Sequence, residues 1–184
     1  SPVAVTIKSS DTVASTTECV GEGLFHATAL IPSHFTACPR DMYRNMRDDD
    51  DEFYLSTQRF SAALFLVDDL GHGGVGSERL VPAVTFNPST SCYDFTYTPE
   101  RAGDYRLEVY FSENNGAAAV QVAGSPFFLN VEVDRVSAPK SLIENLPQPL
   151  YAEAGSCYNF TILARDNAEN FITYGGAGFQ VGLA

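Results

Sequence analysis

Three short signals return along this chain at one displacement. Phe35-Thr36, Arg40-Asp41 and Asn45 recur as Phe160-Thr161, Arg165-Asp166 and Asn170, each moved on by 125 positions. Ser1-Pro2 recurs as Ser125-Pro126, moved on by 124. A fixed displacement of this size marks a repeated structural unit. With 184 residues the chain is shorter than two such units. The expected organisation is the last strand of one unit over residues 1–10, a complete unit over 11–135, and the N-terminal part of a following unit over 136–184. Because the sequence starts at Ser1 without a Met, it reads as a fragment.

Inside the unit the period is two. Val3, Val5 and Ile7 alternate with Ala4, Thr6 and Lys8. Tyr93, Phe95 and Tyr97 form a second series, Tyr105, Leu107, Val109 and Phe111 a third, and Phe127, Leu129, Val131 and Val133 a fourth. Each predicts a strand with one face on a core. Turn signals separate them at Asn87-Pro88-Ser89, Arg101-Ala102-Gly103-Asp104 and Asn114-Asn115-Gly116. No long stretch shows the spacing of an amphipathic helix. Short strands punctuated by turns predict an all-β, antiparallel β-sandwich or barrel.

Several of these residues resemble the filamin repeat. Cys19-Val20-Gly21-Glu22-Gly23-Leu24 is similar to the glycine-rich first strand of that family. Tyr97-Thr98-Pro99 followed by Gly103-Asp104-Tyr105 is similar to its penultimate hairpin, and Gly124-Ser125-Pro126-Phe127 to the opening of its final strand. The chain resembles a divergent member. Its repeat is long, with the excess read as an insertion near residues 59–79, where Phe60–Asp69 and Gly71-His72-Gly73-Gly74 lie. The following unit carries Asn145-Leu146-Pro147-Gln148-Pro149-Leu150 where the glycine-rich signature is expected. The resemblance implies an immunoglobulin-like antiparallel sandwich of seven strands, tandem repeats chained as a rod, and partner binding by strand addition at an exposed edge.

Charge and composition exclude several classes. Hydrophobic residues make up 45% of the chain, enough for a packed core. The formal net charge is −12, which opposes nucleic acid and anionic membrane surfaces. The longest apolar run, Ala62 to Val67, is too short to span a bilayer, and no stretch reads as a signal peptide. The four cysteines, Cys19, Cys38, Cys92 and Cys157, form no C-x-x-C pair, which argues against a zinc site. No cofactor is expected. His26, His34 and His72 have no nucleophile motif beside them, and no phosphate loop is present. The expectation is a non-enzyme.

The remaining signals mark candidate sites. Pro82 lacks an N–H, so the strand-like run Leu80 to Asn87 is expected at a sheet edge. Leu80, Val81, Ala83 and Thr85 are the candidate partner-binding residues, acting by β-augmentation. Asp48-Asp49-Asp50-Asp51-Glu52 lacks the spaced pattern of a calcium loop and reads as a solvated loop or a docking point for a basic partner. Arg40-Asp41 and Arg165-Asp166 read as loop braces, since a pair needed in every repeat serves architecture. Cys38 and Cys92 fall on neighbouring strands and read either as a cross-strand disulfide or, by preference, as two free thiols. Asn159-Phe160-Thr161 is a glycosylation sequon.

The implied role is a structural module that spaces and binds other proteins, neighbouring repeats included, in a larger cytoskeletal or flagellar protein. The alternatives are an extracellular adhesion module, as on gamete surfaces, or an accessory domain of a larger enzyme or motor. The expected location is correspondingly cytoplasmic or flagellar, with the cell surface as alternative.

Overall fold

A computed structural model of the chain describes residues 2–5, 7–47, 59–69, 79–113, 118–145, 153 and 155–182. These residues contain strands and one 3-10 turn, Glu22–Leu24, but no α-helix. The strands are β1 (Glu18–Val20), β2 (His26–Thr28), β3 (Ser33–Cys38), β4 (Arg59–Asp69), β5 (Arg79–Leu80), β6 (Ala83–Asn87), β7 (Cys92–Tyr97), β8 (Gly103–Ser112), β9 (Val120–Gln121), β10 (Phe127–Glu132), β11 (Leu142–Glu144) and β12 (Thr161–Leu163).

Two sheets build the complete unit. One runs in the order β1-β3-β7-β6. The other runs β2-β10-β8-β4-β5, with β9 pairing the far end of β8. The pairs are antiparallel except β2 with β10, which run parallel. The first strand region is divided between the sheets. β1 lies beside β3, and the Glu22–Leu24 turn carries the chain across to β2 beside β10.

The alternating series supply the core. Tyr105, Leu107, Val109 and Phe111 of β8 are buried, as are Leu129 and Val131 of β10, while Phe128 is 68% exposed. Phe35 stacks on Phe95 with ring centroids 4.6 Å apart, and Phe60 meets Tyr93 at 4.6 Å and Phe111 at 5.1 Å. Fully burying one such ring is worth about 2–3 kcal/mol.

Three expectations need correction. Residues 59–69 are no insertion: β4 pairs with β8 along the length of both, with one register shift between Leu66 and Asp68. Phe60, Ala62, Leu64 and Leu66 are core. Ala63 is buried on the opposite face, and Phe65 lies beneath the Arg106 guanidinium, 5.2 Å away. A strand covered on both faces loses alternation. Gly71–Gly74 lies outside the described residues.

The run Leu80 to Asn87 is not one strand either. It breaks at Val81-Pro82, leaving β5 on one sheet and β6 on the other. Pro82 cannot donate to a ladder, and it sits where the chain changes sheets. Finally, Val3, Val5 and Ile7 form no strand and are 84%, 77% and 91% exposed. Their alternating face meets no sheet among the described residues.

Candidate binding edge and inter-unit joint

β6 closes one end of its sheet. It pairs with β7 from Ala83↔Thr96 to Asn87↔Cys92, and among the described residues no strand pairs its other side. Of the candidate residues, Leu80 sits in β5 opposite Leu64 and packs against the core. Val81 is exposed in the sheet crossover, and Ala83 and Thr85 are exposed in β6. The structure thus spreads them over a short path rather than along one strand.

The ladder parity identifies the open backbone groups. Cys38 and Cys92 face each other with Cα atoms 4.4 Å apart, the spacing of a non-hydrogen-bonded pair. By alternation, Asp94 and Thr96 turn their peptide groups from β3 toward β6, where they face Thr85 and Ala83. Val84 and Phe86 therefore turn theirs to the open side. Sequence reasoning missed these two because parity is invisible before the register is known. Val84 is 42% exposed beside this edge, and Phe86 anchors it by packing on Tyr93, 5.1 Å between centroids.

The two sulfurs of Cys38 and Cys92 are bonded in the structure, where the sequence reading leaned to free thiols. Cys19 is half-buried against the core, and burial pushes its thiol up to about 12. Cys157 is exposed, and so is Asn159. His26 stands 3.8 Å from Glu132, and His34 Nδ1 shares a hydrogen bond with Thr96 Oγ1 at 3.0 Å. His72 and the acidic run 48–52 lie outside the described residues. No cluster of three metal-ligating side chains occurs among the described residues. None of their helices is long and apolar enough to cross a membrane.

The recurring Arg-Asp signals build one loop twice. Asp41 Oδ1 accepts from the Tyr43 and Asn45 N–H groups, both at 2.9 Å. Its Oδ2 accepts from Asn45 Nδ2 at 3.0 Å and from the Ser10 N–H at 3.2 Å. These bonds, the Asn45 side-chain donor foremost, hold the Asp41 carboxyl down at about 2. Asp166 repeats the pattern with Ala168 and Asn170 N–H at 2.9 Å, Asn170 Nδ2 at 2.8 Å and Asp134 N–H at 3.2 Å. Even the left-handed residue recurs, Arg44 at φ 67° and Glu169 at φ 69°. Arg40 bridges Met46 as Arg165 bridges Phe171. β11 and β12 likewise reproduce the β1–β3 ladder, with Leu142↔Leu163 in place of Glu18↔Cys38.

Asn170 has a further task. Its Nδ2 donates to the Glu100 carbonyl at 3.0 Å, and its Oδ1 accepts from the Ala102 N–H at 3.1 Å. One carboxamide thus ties the second unit to the turn before β8 of the first. The echo of Asn45 and Asn170 flagged the residue in the sequence, but nothing there pointed to Glu100 or Ala102.

No protein-family model matches the chain, and no curated protein matches it at significance. Among solved structures, the Lin-41 filamin domain matches at 18% identity and a TM-score of 0.43, covering 67% of this chain and 98% of that one. The Escherichia coli adhesin FdeC matches at 18% identity and a TM-score of 0.52, covering 92% of this chain. This chain spans about half of the adhesin, 46% of its length. The chain is therefore an immunoglobulin-like β-sandwich carrying filamin-like sequence motifs, with the fold of the adhesin it resembles.

Proposed function

We propose that this chain is a non-enzymatic module that spaces and binds proteins, capturing an extended segment by strand addition along β6. The observation that carries the reading is the open side of β6, with the Val84 and Phe86 peptide groups turned outward. An added strand gains main-chain hydrogen bonds from these groups and selects side chains against Val84, Ala83 and Thr85. Leu80 and Val81 extend the apolar rim toward the other sheet. A proline at Ala83 would break the ladder to β7, whereas Val84→Pro removes one outward N–H and spares the inward bonds. Peptides selected from a random display library on the folded chain should bind Val84→Pro at least tenfold more weakly. Undiminished binding to a folded Val84→Pro variant rules out strand addition here.

The Cys38–Cys92 bond favours the extracellular adhesion reading over the cytoskeletal or flagellar one, because disulfides persist in oxidising compartments. The exposed Asn159 sequon fits the same setting. Intact mass of the native protein decides: a bridged chain with a glycan on Asn159 supports the cell surface, and free thiols without a glycan support the cytoplasm.

A further inference from the structure

We infer that the Asp41–Asn45 loop is a socket for the β7–β8 turn of another immunoglobulin-like module, with Asn45 as its reading residue. The inference is independent of strand addition at β6. It starts from the fact that the same loop occurs twice, once filled and once open. In the filled copy Asn170 is 1% exposed, and its carboxamide spans a carbonyl and an N–H two residues apart, Glu100 O and Ala102 N. In the open copy Asn45 is exposed, although the Asp41 carboxylate holds it in the same bond that Asp166 gives Asn170.

The chemistry selects the partner. A carboxamide presents one donor and one acceptor side by side. It therefore recognises a turn that offers a C=O and an N–H at matching separation. Neither a carboxylate nor an ammonium group can serve both. Ala102 at that turn is small and buried, and Gly103 follows at φ 150°. The joint also borders an open cleft of about 270 Å³, lined by Ala102, Val131, Phe171 and Tyr174.

The surroundings of Asn45 fit such an occupant. Met46, the counterpart of Phe171, is 45% exposed, and Met42 and Tyr43 are 63% and 73% exposed. Val3, Val5 and Ile7 align with Phe127, Leu129 and Val131, and they lead into Ser10, whose N–H meets Asp41 as that of Asp134 meets Asp166. Exposed apolar side chains on both of these segments suit an interaction site. They match the end of a sandwich module that presents its β7–β8 turn to Asn45, as Glu100 and Ala102 are presented to Asn170.

The test places residues 11–134 directly ahead of Asp11, so that a native last strand replaces residues 1–10. Residue-resolved hydrogen exchange then follows the upstream Ala102 amide. Protection there, lost about tenfold or more in Asn45→Ala, is the expected result. Equal exchange with and without Asn45, in a chain whose upstream β8 is protected, overturns the inference. The unmodified chain provides a second measurement. Asn170→Ala should speed Ala102 exchange about tenfold and Asn45→Ala should leave it alone; no change in Asn170→Ala also overturns the inference. Sedimentation of the unmodified chain should show a monomer. A dimer that Asn45→Ala dissolves would mean a second copy fills the socket, contrary to the inference.

Discussion

Tyr105 donates its hydroxyl hydrogen to the carbonyl of Arg101, four residues back and 3.0 Å away. The ring is buried at the start of β8, and this bond fixes the turn that Asn170 grips. Tyr105→Phe keeps the ring and removes the donor. It should cost about 1 kcal/mol, read as a lower urea midpoint with an unchanged slope.

Phe35 and Phe95 face each other across β3 and β7 with an interplanar angle of 4°, and Phe95 is 0% exposed. Phe95→Ala deletes the ring and leaves a void that the paired strands cannot fill. The expected loss is about 3–5 kcal/mol, measured by denaturant unfolding.

Gly23 has no room for a side chain. A Cβ there would stand 2.6 Å from the carbonyl oxygen of His34 and 2.9 Å from its carbon. β3 is held by β1 and β7 on its two sides and cannot retreat. The Gly23 carbonyl also accepts the buried Tyr97 hydroxyl. Gly23→Ala should cost about 1–3 kcal/mol by overpacking, seen as a lower melting temperature.

The Cys38–Cys92 bond joins residues 54 positions apart. Closing a loop of that length restricts the unfolded chain by about 4 kcal/mol in the chain-entropy account. Unfolding with and without reductant should differ by roughly that amount. A Cys38→Ser/Cys92→Ser double variant should match the reduced protein.

Asp41 carries a pH signature. Its carboxyl titrates at about 2, below the ordinary 3.8, so the unfolded chain binds the proton more readily. The stability it contributes is complete above about pH 5 and fades as pH falls from about 4 through 2. Asp41→Asn should remove that part of the acid slope. Stability measured at intervals between pH 2 and 6 checks the sign.

The sequence disclosed the sandwich through β7, β8 and β10, because each has one wet and one dry face. It concealed β4 because Ala63 and Phe65 are covered as well as Ala62 and Leu64, which erases the period of two. β2, three residues paired in parallel with β10, carries too little pattern to be seen. Pro82 suggested one edge strand from Leu80 to Asn87, but a proline alone does not say that the chain breaks and changes sheets there. The edge residues Ala83 and Thr85 were readable as strand positions. The outward peptide groups of Val84 and Phe86 required the register. The joint needed Asn170 and Ala102, 68 positions apart, to be brought together.

The parallel pairing of β2 and β10 also decides how the unit would respond to a pull on its two ends. His26, Ala27 and Thr28 enter near one end of the chain path, and Asn130, Val131 and Glu132 leave at the other, running the same way. Tension that has passed the β1–β3 ladder would pull these two strands past each other lengthwise. Their slanted, evenly spaced bonds then share the force together instead of peeling open one after another.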